Sequence, residues 1–398
     1  MLRPLIAAPL IAALLASVPA WAQEFDTRAG SAVVIDHNTG QVLLEKNADV
    51  PLPPASMSKL MTLNMAFEAL KAGRLSLDDE LPVSEHAAAY GGSTMFLDPR
   101  DRVRVEDLIR GVVVLSGNDA TAVLAETLSP DGTEAGFAQM MTDRARELGM
   151  KNSMFRNSNG WPAPGHVMSM NDLAILAERL ITEFPEYYPY FAEREFAFDG
   201  RSPSNRYNRN PLLRLDIGAD GLKTGHTQEA GYGLVGSAVQ GDRRVTFVIS
   251  GLESENARAE ESERLANWAF RQFAEERLLE GDDAPTMYAD VFMGEKAQVP
   301  LIAEDGVTIL LPVTGREAVT GEITYDGPIE APVAKGAQVG TLTLTHPGVA
   351  PRRVPLVAAE DVPRAGPLRR IQIAGTRVAG DLLGSAMERF QGDGESDG

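Results

Sequence analysis

The chain has no cysteine, which excludes disulfide bridges and thiolate-bound metals outright. Histidine is sparse as well. Of five in 398 residues, His37, His86, His166 and His346 stand isolated and read as structural or surface residues, so nothing resembles a metal site. Positive charge is short: 37 basic residues face 56 acidic ones, a formal net charge of −19. Such a surface repels nucleic acid and does not favour anionic lipid. Because the acidity is spread along the chain, it reads as a solubility feature. Long apolar runs are missing too, with one exception at the start. Met1-Leu2-Arg3 is a short cationic opening, Leu5 to Val18 is apolar except at Pro9 and Ser17, and Ala20-Trp21-Ala22 has the small–x–small pattern of a leader cleavage site. That run is shorter than the roughly 20 residues needed to span a bilayer. Residues 1–22 are therefore a secretory leader cut before Gln23. The mature chain is large enough to fold without bridges in an oxidising compartment.

What remains predicts two or three domains on length. Residues 32–35 and 41–45 flank Asn38-Thr39-Gly40, a β-hairpin with its turn chemistry in place. Met57 to Leu70 is apolar on nearly every side, as a helix buried inside a domain would be. Val105–Leu115 and Ala120–Leu128 predict two helices joined by a turn, and Asn171–Ile181 another with Asn171 as its cap. Segments 221–226, 231–238 and 245–250 predict consecutive strands, and 257–278 a closing amphipathic helix with Leu265, Ala269 and Phe273 at four-residue spacing. A hairpin at the start and strands at the end imply one sheet assembled from both ends of the domain, with helices flanking it. After 280–285 helical periodicity gives way to short alternating runs between Gly and Pro turns, a small all-β module. The expected organisation is a catalytic domain over 23–279, a β-rich domain over 285–363, and a tail over 364–398. That tail, with Arg364, Arg369, Arg370 and Arg377, is weakened as a helix by Gly375, Gly380 and Gly384, and it ends in a disordered acidic stretch.

Only seven lysines serve the chain, and two fall in polar triplets that carry chemistry. In Ser56-Met57-Ser58-Lys59 the lysine lies one helical turn after the serine and shares its face. Buried in an apolar helix, a lysine loses its proton near neutral pH and can take the proton of a serine nucleophile. The start of the same helix offers N–H groups to developing negative charge. Ser116-Gly117-Asn118 supplies a hydroxyl that can relay a proton and an amide that can hold a carbonyl. Lys223-Thr224-Gly225-His226, on a predicted strand, could bind a carboxylate, with Gly225 leaving room for a peptide to add as an extra strand. Each triplet alone has an ordinary reading: a capped helix with a solvated lysine, an interhelical turn, or an edge strand made polar against aggregation. The ordered set of all three does not.

Serine–x–x–lysine, serine–x–asparagine and lysine–threonine–glycine, in this order, form a penicillin-reactive signature. With Pro54-Ala55 before the first, Asp119-Ala120 after the second and Gly231-Tyr232 following the third, the chain resembles the low-molecular-mass penicillin-binding proteins. These are serine-type D-alanyl-D-alanine carboxypeptidases, and the likeness runs over about residues 27–275. The resemblance implies a penicillin-binding-protein/β-lactamase-like α+β catalytic domain, an antiparallel sheet flanked by helices, followed by a small all-β domain. It implies that Ser56 attacks the penultimate D-alanine of a peptidoglycan stem pentapeptide and that Lys59 is the base. Ser116 and Lys223 would pass the proton to the leaving group, while Asn118 orients the substrate amide. The oxyanion would lie between the N–H groups of Ser56 and His226, and Thr224 would hold the terminal carboxylate near Arg209. No cofactor or metal is implied, β-lactams are the expected inhibitors, and the compartment is the periplasm.

The family's usual strongly basic C-terminal anchor is missing, so peripheral membrane attachment and a freely soluble periplasmic enzyme stay open. So does a D,D-endopeptidase acting on cross-linked peptides. A β-lactamase is disfavoured, because the loop 157–168, Asn-Ser-Asn-Gly-Trp-Pro-Ala-Pro-Gly-His-Val-Met, has no carboxylate for rapid deacylation. A catalytically inert wall-binding protein is disfavoured by three intact motifs.

Overall fold

The computed structural model describes residues 25–201, 204–281, 285–313, 319–347 and 349–372; the leader and most of the tail lie outside these. The first half runs β1 (Ser31–Asp36), β2 (Gln41–Lys46), α1 (Lys59–Lys71), β3 (Glu80–Pro82), α2 (Glu85–Ala88), β4 (Arg102–Arg104), α3 (Val105–Arg110), α4 (Asn118–Leu128), α5 (Glu134–Glu147) and α6 (Met170–Thr182). It continues with β5 (Ala219–Thr227), β6 (Gly231–Gln240), β7 (Arg243–Leu252) and α7 (Glu255–Arg271). The main sheet is antiparallel in the order β2-β1-β7-β6-β5. The N-terminal hairpin pairs with β7, so both ends of the domain do build one sheet. β5, with the third motif, is left on its edge.

Alternation along the strands divides the core between the two faces. Val33, Val235 and Val248 face the cluster built by α1, α3, α4, α5 and α6. Val34, Leu234, Phe247 and Ile249 face α7 through Leu265, Ala266 and Ala269. α1 is enclosed almost completely, Lys59 and Asn64 included, which accounts for its apolar character all round.

Two expectations fail. α6 is capped by Ser169, whose hydroxyl accepts from Asp172 N, while Asn171 is already helical and its amide donates to Glu45 and Asp49. The closing helix stops at Arg271, and Phe273–Leu279 is strand β8. Its sequence, Phe-Ala-Glu-Glu-Arg-Leu-Leu, favours helix, but antiparallel pairing with Val307–Pro312 overrides that preference.

The remaining strands are β9 (Met287–Phe292), β10 (Gln298–Ile302), β11 (Val307–Pro312), β12 (Thr320–Tyr325), β13 (Ile329–Glu330), β14 (Gln338–His346) and β15 (Val349–Ala358). β8 and β11 form a ribbon, and the others form a six-stranded sheet in the order β12-β14-β15-β10-β9-β13 around a separate apolar cluster. The ribbon meets the first domain at Gln41, which donates to Leu310 O (3.0 Å) and accepts from Leu310 N (2.9 Å). Among the described residues no helix is long and apolar enough to cross a membrane.

Candidate active site

The first motif sits in a 3-10 turn, Ala55–Ser58, that runs into α1. Lys59 is fully buried, and its Nζ donates to Ser56 Oγ (2.9 Å) and to Asn159 O (2.7 Å). Burial pushes its ammonium down to about 7; the charge of Arg209 adds to this, while Asp119 and Glu134 oppose it. A lysine in that range is a competent base at neutral pH.

The second motif follows α3 after a π-helical turn, Gly111–Leu115, which ends at Ser116 with left-handed backbone (φ 60°, ψ 35°). Such turns and such angles at a residue other than glycine cluster at working sites. Ser116 Oγ accepts from Lys223 Nζ at 2.9 Å, joining the second motif to the third. Lys223 is also buried, and lies well below the usual lysine range because of burial first, then the charges of Lys59, Arg209 and Arg258. Asn118 opens α4; its N–H donates to Ser93 O and its side-chain amide to Gly91 O (both 2.8 Å).

On β5, Thr224 is buried and His226 is exposed, its ring stacked on Tyr232 with centroids 3.8 Å apart. Arg209 donates to Leu115 O, directly before Ser116. Gly225 has a different reason from the one its sequence position suggests. A Cβ there would meet Pro54 O and Met57 Cγ at 3.0 Å and Ala55 Cβ at 3.3 Å, so the missing side chain lets the Ala55–Ser58 turn pack on β5. Ser56, Asn118 and His226 share one cleft of about 680 Å³ with Ser93, Asn159, Trp161 and Thr227–Glu229. The structure thus brings residues from three distant segments within reach of one another.

Several residues outside the three triplets hold this arrangement. Asp119 is buried and accepts from the backbone N–H groups of Met95, Leu97 and Ala120 (2.9–3.1 Å), fixing the loop that bears Ser93. The loop 157–161 packs against the turn that bears Ser56, at Ala55 and Ser58. Gly160 (φ 81°) lies so close to Ala55 that a Cβ would fall 1.8 Å from Ala55 O. His166 is buried and bonded to Ser58 Oγ (2.8 Å); burial, then Lys59 and Arg156, lower it to about 4, so it stays neutral. The loop has no carboxylate of its own, but Glu134 of α5 reaches it, bonded to Ser158 N and Oγ. Of these, Asp119 is marked by position, directly after the Ser116 triplet; Glu134 precedes Ser158 by 24 residues and nothing local marks it.

The profile of the D-alanyl-D-alanine carboxypeptidase family matches residues 18–254, and that of the penicillin-binding protein 5 C-terminal domain matches residues 273–364. The D-alanyl-D-alanine carboxypeptidase DacC of Escherichia coli is 37% identical over 359 residues, 88% of each chain. The structure of penicillin-binding protein 5 from Haemophilus influenzae is similar with a TM-score of 0.74 at 33% identity, covering 85% of this chain and 99% of that one. Penicillin-binding protein D2 from Listeria monocytogenes, in its ampicillin-bound form, has a TM-score of 0.55 at 31% identity over 61% of this chain and 97% of its own.

Proposed function

The chain belongs to the D-alanyl-D-alanine carboxypeptidase family, and from that membership we infer how its residues divide the reaction. The activity is serine-type hydrolysis that releases the terminal D-alanine of peptidoglycan stem pentapeptides. One observation carries the assignment of residues: two buried lysines in one site, each 2.9 Å from a different serine hydroxyl.

Neutral Lys59 takes the proton of Ser56 Oγ as that oxygen bonds to the carbonyl carbon of the penultimate D-alanine. The resulting oxyanion lies between the N–H groups of Ser56 and His226, and Asn118 orients the substrate amide. As the carbon–nitrogen bond breaks, the proton that Lys59 took passes through the Ser116–Lys223 pair to the leaving amine, which leaves Lys59 neutral again. Thr224 and the charge of Arg209 hold its carboxylate, while the open edge of β5 aligns the peptide main chain. Water then attacks the ester carbon, returns the proton to Ser56 and frees the tetrapeptide. A β-lactam acylates the same oxygen, and with no carboxylate in loop 157–168 to hasten hydrolysis it stays attached.

The enzyme acts in the periplasm after its leader is cut behind Ala22. The catalytic unit begins at Gln23, and pairing of Phe273–Leu279 with Val307–Pro312 supports a junction directly after Arg271.

The test is release of D-alanine from a pentapeptide ending in D-Ala-D-Ala, beside Ser56→Ala and with labelled penicillin in parallel. Release and labelling by the wild type, both lost in Ser56→Ala, are expected. Undiminished release by the variant would remove Ser56 as nucleophile. Silence of the wild type in both assays would point to an inert wall-binding protein. A cross-linked dimeric muropeptide in the same assay separates out the D,D-endopeptidase, which would cleave it faster than the pentapeptide.

A further inference from the structure

The general base of the first motif does not stand on α1 alone. Lys59 Nζ donates to Asn159 O, so the direction of that carbonyl decides whether the amine faces Ser56. The peptide before it is gripped from two sides. Thr62, one turn after Lys59 on α1, donates its hydroxyl to Ser158 O. On the other side, Glu134 Oε1 accepts from Ser158 N (2.9 Å), Ser158 Oγ (2.5 Å) and Asn159 Nδ2 (3.5 Å). Glu134 Oε2 accepts from Tyr90 Oη (2.6 Å) and His86 Nε2 (2.8 Å). This carboxylate is 8% exposed and opens the 14-residue helix α5. Five donors on one buried carboxylate, from α2, the segment after it and loop 157–161, are far more than helix capping needs. Thr133 already provides the cap by accepting from Gly136 N.

We propose that Glu134 is a positioning residue for acylation: it fixes the Ser158–Asn159 segment so that the Asn159 carbonyl presents Lys59 to Ser56. The inference rests on Ser56 and Lys59 being nucleophile and base. Burial would raise the Glu134 carboxyl, but hydrogen bonds from Ser158, Tyr90 and His86 hold it below its ordinary value, so it is ionised wherever the enzyme works. Its charge also acts on Lys59. The groups that bear on this amine are Arg209, which lowers it, Asp119 and Glu134, which raise it, and its neighbours Lys223 and His166, which it lowers in turn. Loss of the Glu134 charge leaves the Lys59 ammonium less favoured, so the proton departs at lower pH.

The experiment follows benzylpenicillin acylation from about pH 5 to 9, with thermal melting alongside, in the wild type, Glu134→Ala and Glu134→Gln. Glu134→Ala, which frees the loop, is expected to acylate about a hundredfold more slowly, the scale of a reacting group misplaced by about 1 Å. Glu134→Gln, isosteric but uncharged, is expected to move the acid limb of the profile to lower pH. A residue that merely braced the fold would lower the melting temperature and leave that limb where it is. Wild-type acylation by folded Glu134→Ala, or an unmoved limb in Glu134→Gln, overturns the proposal. If neither variant folds, Ser158→Ala removes one donor to the same carboxylate. Slower acylation at unchanged melting temperature then supports the coupling, and a wild-type rate overturns it. Failure of the wild type itself to be labelled would instead count against the functional reading.

Discussion

Lys59 and Lys223 are two buried lysines of one site, each tied to a different serine and neither paired with a carboxylate among the described residues. Like charges placed together out of water disfavour one another, and the neutral amine is what the proposed acylation requires of Lys59. Several measurements bear on this pairing and on the contacts around it.

The pH profile of D-alanine release is the first. As the proposed base Lys59 works unprotonated, and burial lowers it to about 7, so kcat/KM should rise through that region and level off above it. An acid limb near pH 10, the ordinary lysine range, would show that Lys59 keeps its proton in the folded enzyme.

Stability should change with pH for the same reason. The folded value of Lys59, about 7, lies below the unfolded value of about 10.4, so between these the unfolded chain binds more protons and stability rises with pH. Below about 7 the full destabilisation is present. Lys59→Met should therefore abolish acylation yet melt a few degrees higher at about pH 6, on the order of 1–3 kcal/mol, with the gain shrinking toward pH 10. Melting curves at the two pH values decide it; an equal gain at both would contradict a buried neutral amine.

Two glycines with the same backbone angle should behave differently when given a methyl group. Gly149 (φ 82°) has nothing within 4 Å of a built Cβ, whereas at Gly160 (φ 81°) the Cβ would overlap Ala55 O at 1.8 Å. Gly149→Ala should lose only the conformational term, about 1–2 kcal/mol. Gly160→Ala should lose about 3 kcal/mol or more and also slow penicillin acylation, because Ala55 adjoins Ser56, the proposed nucleophile. Denaturant melts and acylation rates measured on the same samples would expose any failure of this contrast.

Gln41 tests the junction with the β-rich domain. Its buried amide both donates to and accepts from the backbone of Leu310. Gln41→Ala leaves those two groups without their partner and should cost about 1–3 kcal/mol. The release of D-alanine by the folded protein should not change, since the contact lies outside the cleft. Reduced turnover would mean that the second domain communicates with the site.

Much of this organisation is legible in the sequence because it is periodic or local. The hairpin, the buried helix after Ser56 and the three strands of the third-motif region each follow from the spacing of apolar residues. The misread segments were those decided by a distant partner. Phe273–Leu279 becomes a strand because Val307–Pro312 is there to pair with it. The absence of a side chain at Gly225 serves the turn around Met57, which no pattern within 221–226 could announce. Ser158, Tyr90 and His86 meet at Glu134 only once four segments are packed. The motif residues could be found by order and spacing; the residues that aim them could not.

The left-handed backbone at Ser116 (φ 60°) sets folding and reactivity against each other at one position. Glycine would occupy those angles without steric penalty, so Ser116→Gly should relax the end of the π-helical turn while deleting the hydroxyl that Lys223 contacts. Selection for stability alone would replace this serine, and selection for peptide cleavage would keep it. The second motif can therefore serve as a gauge in laboratory evolution: relieved of the need to turn over substrate, the chain is expected to drift to glycine here early.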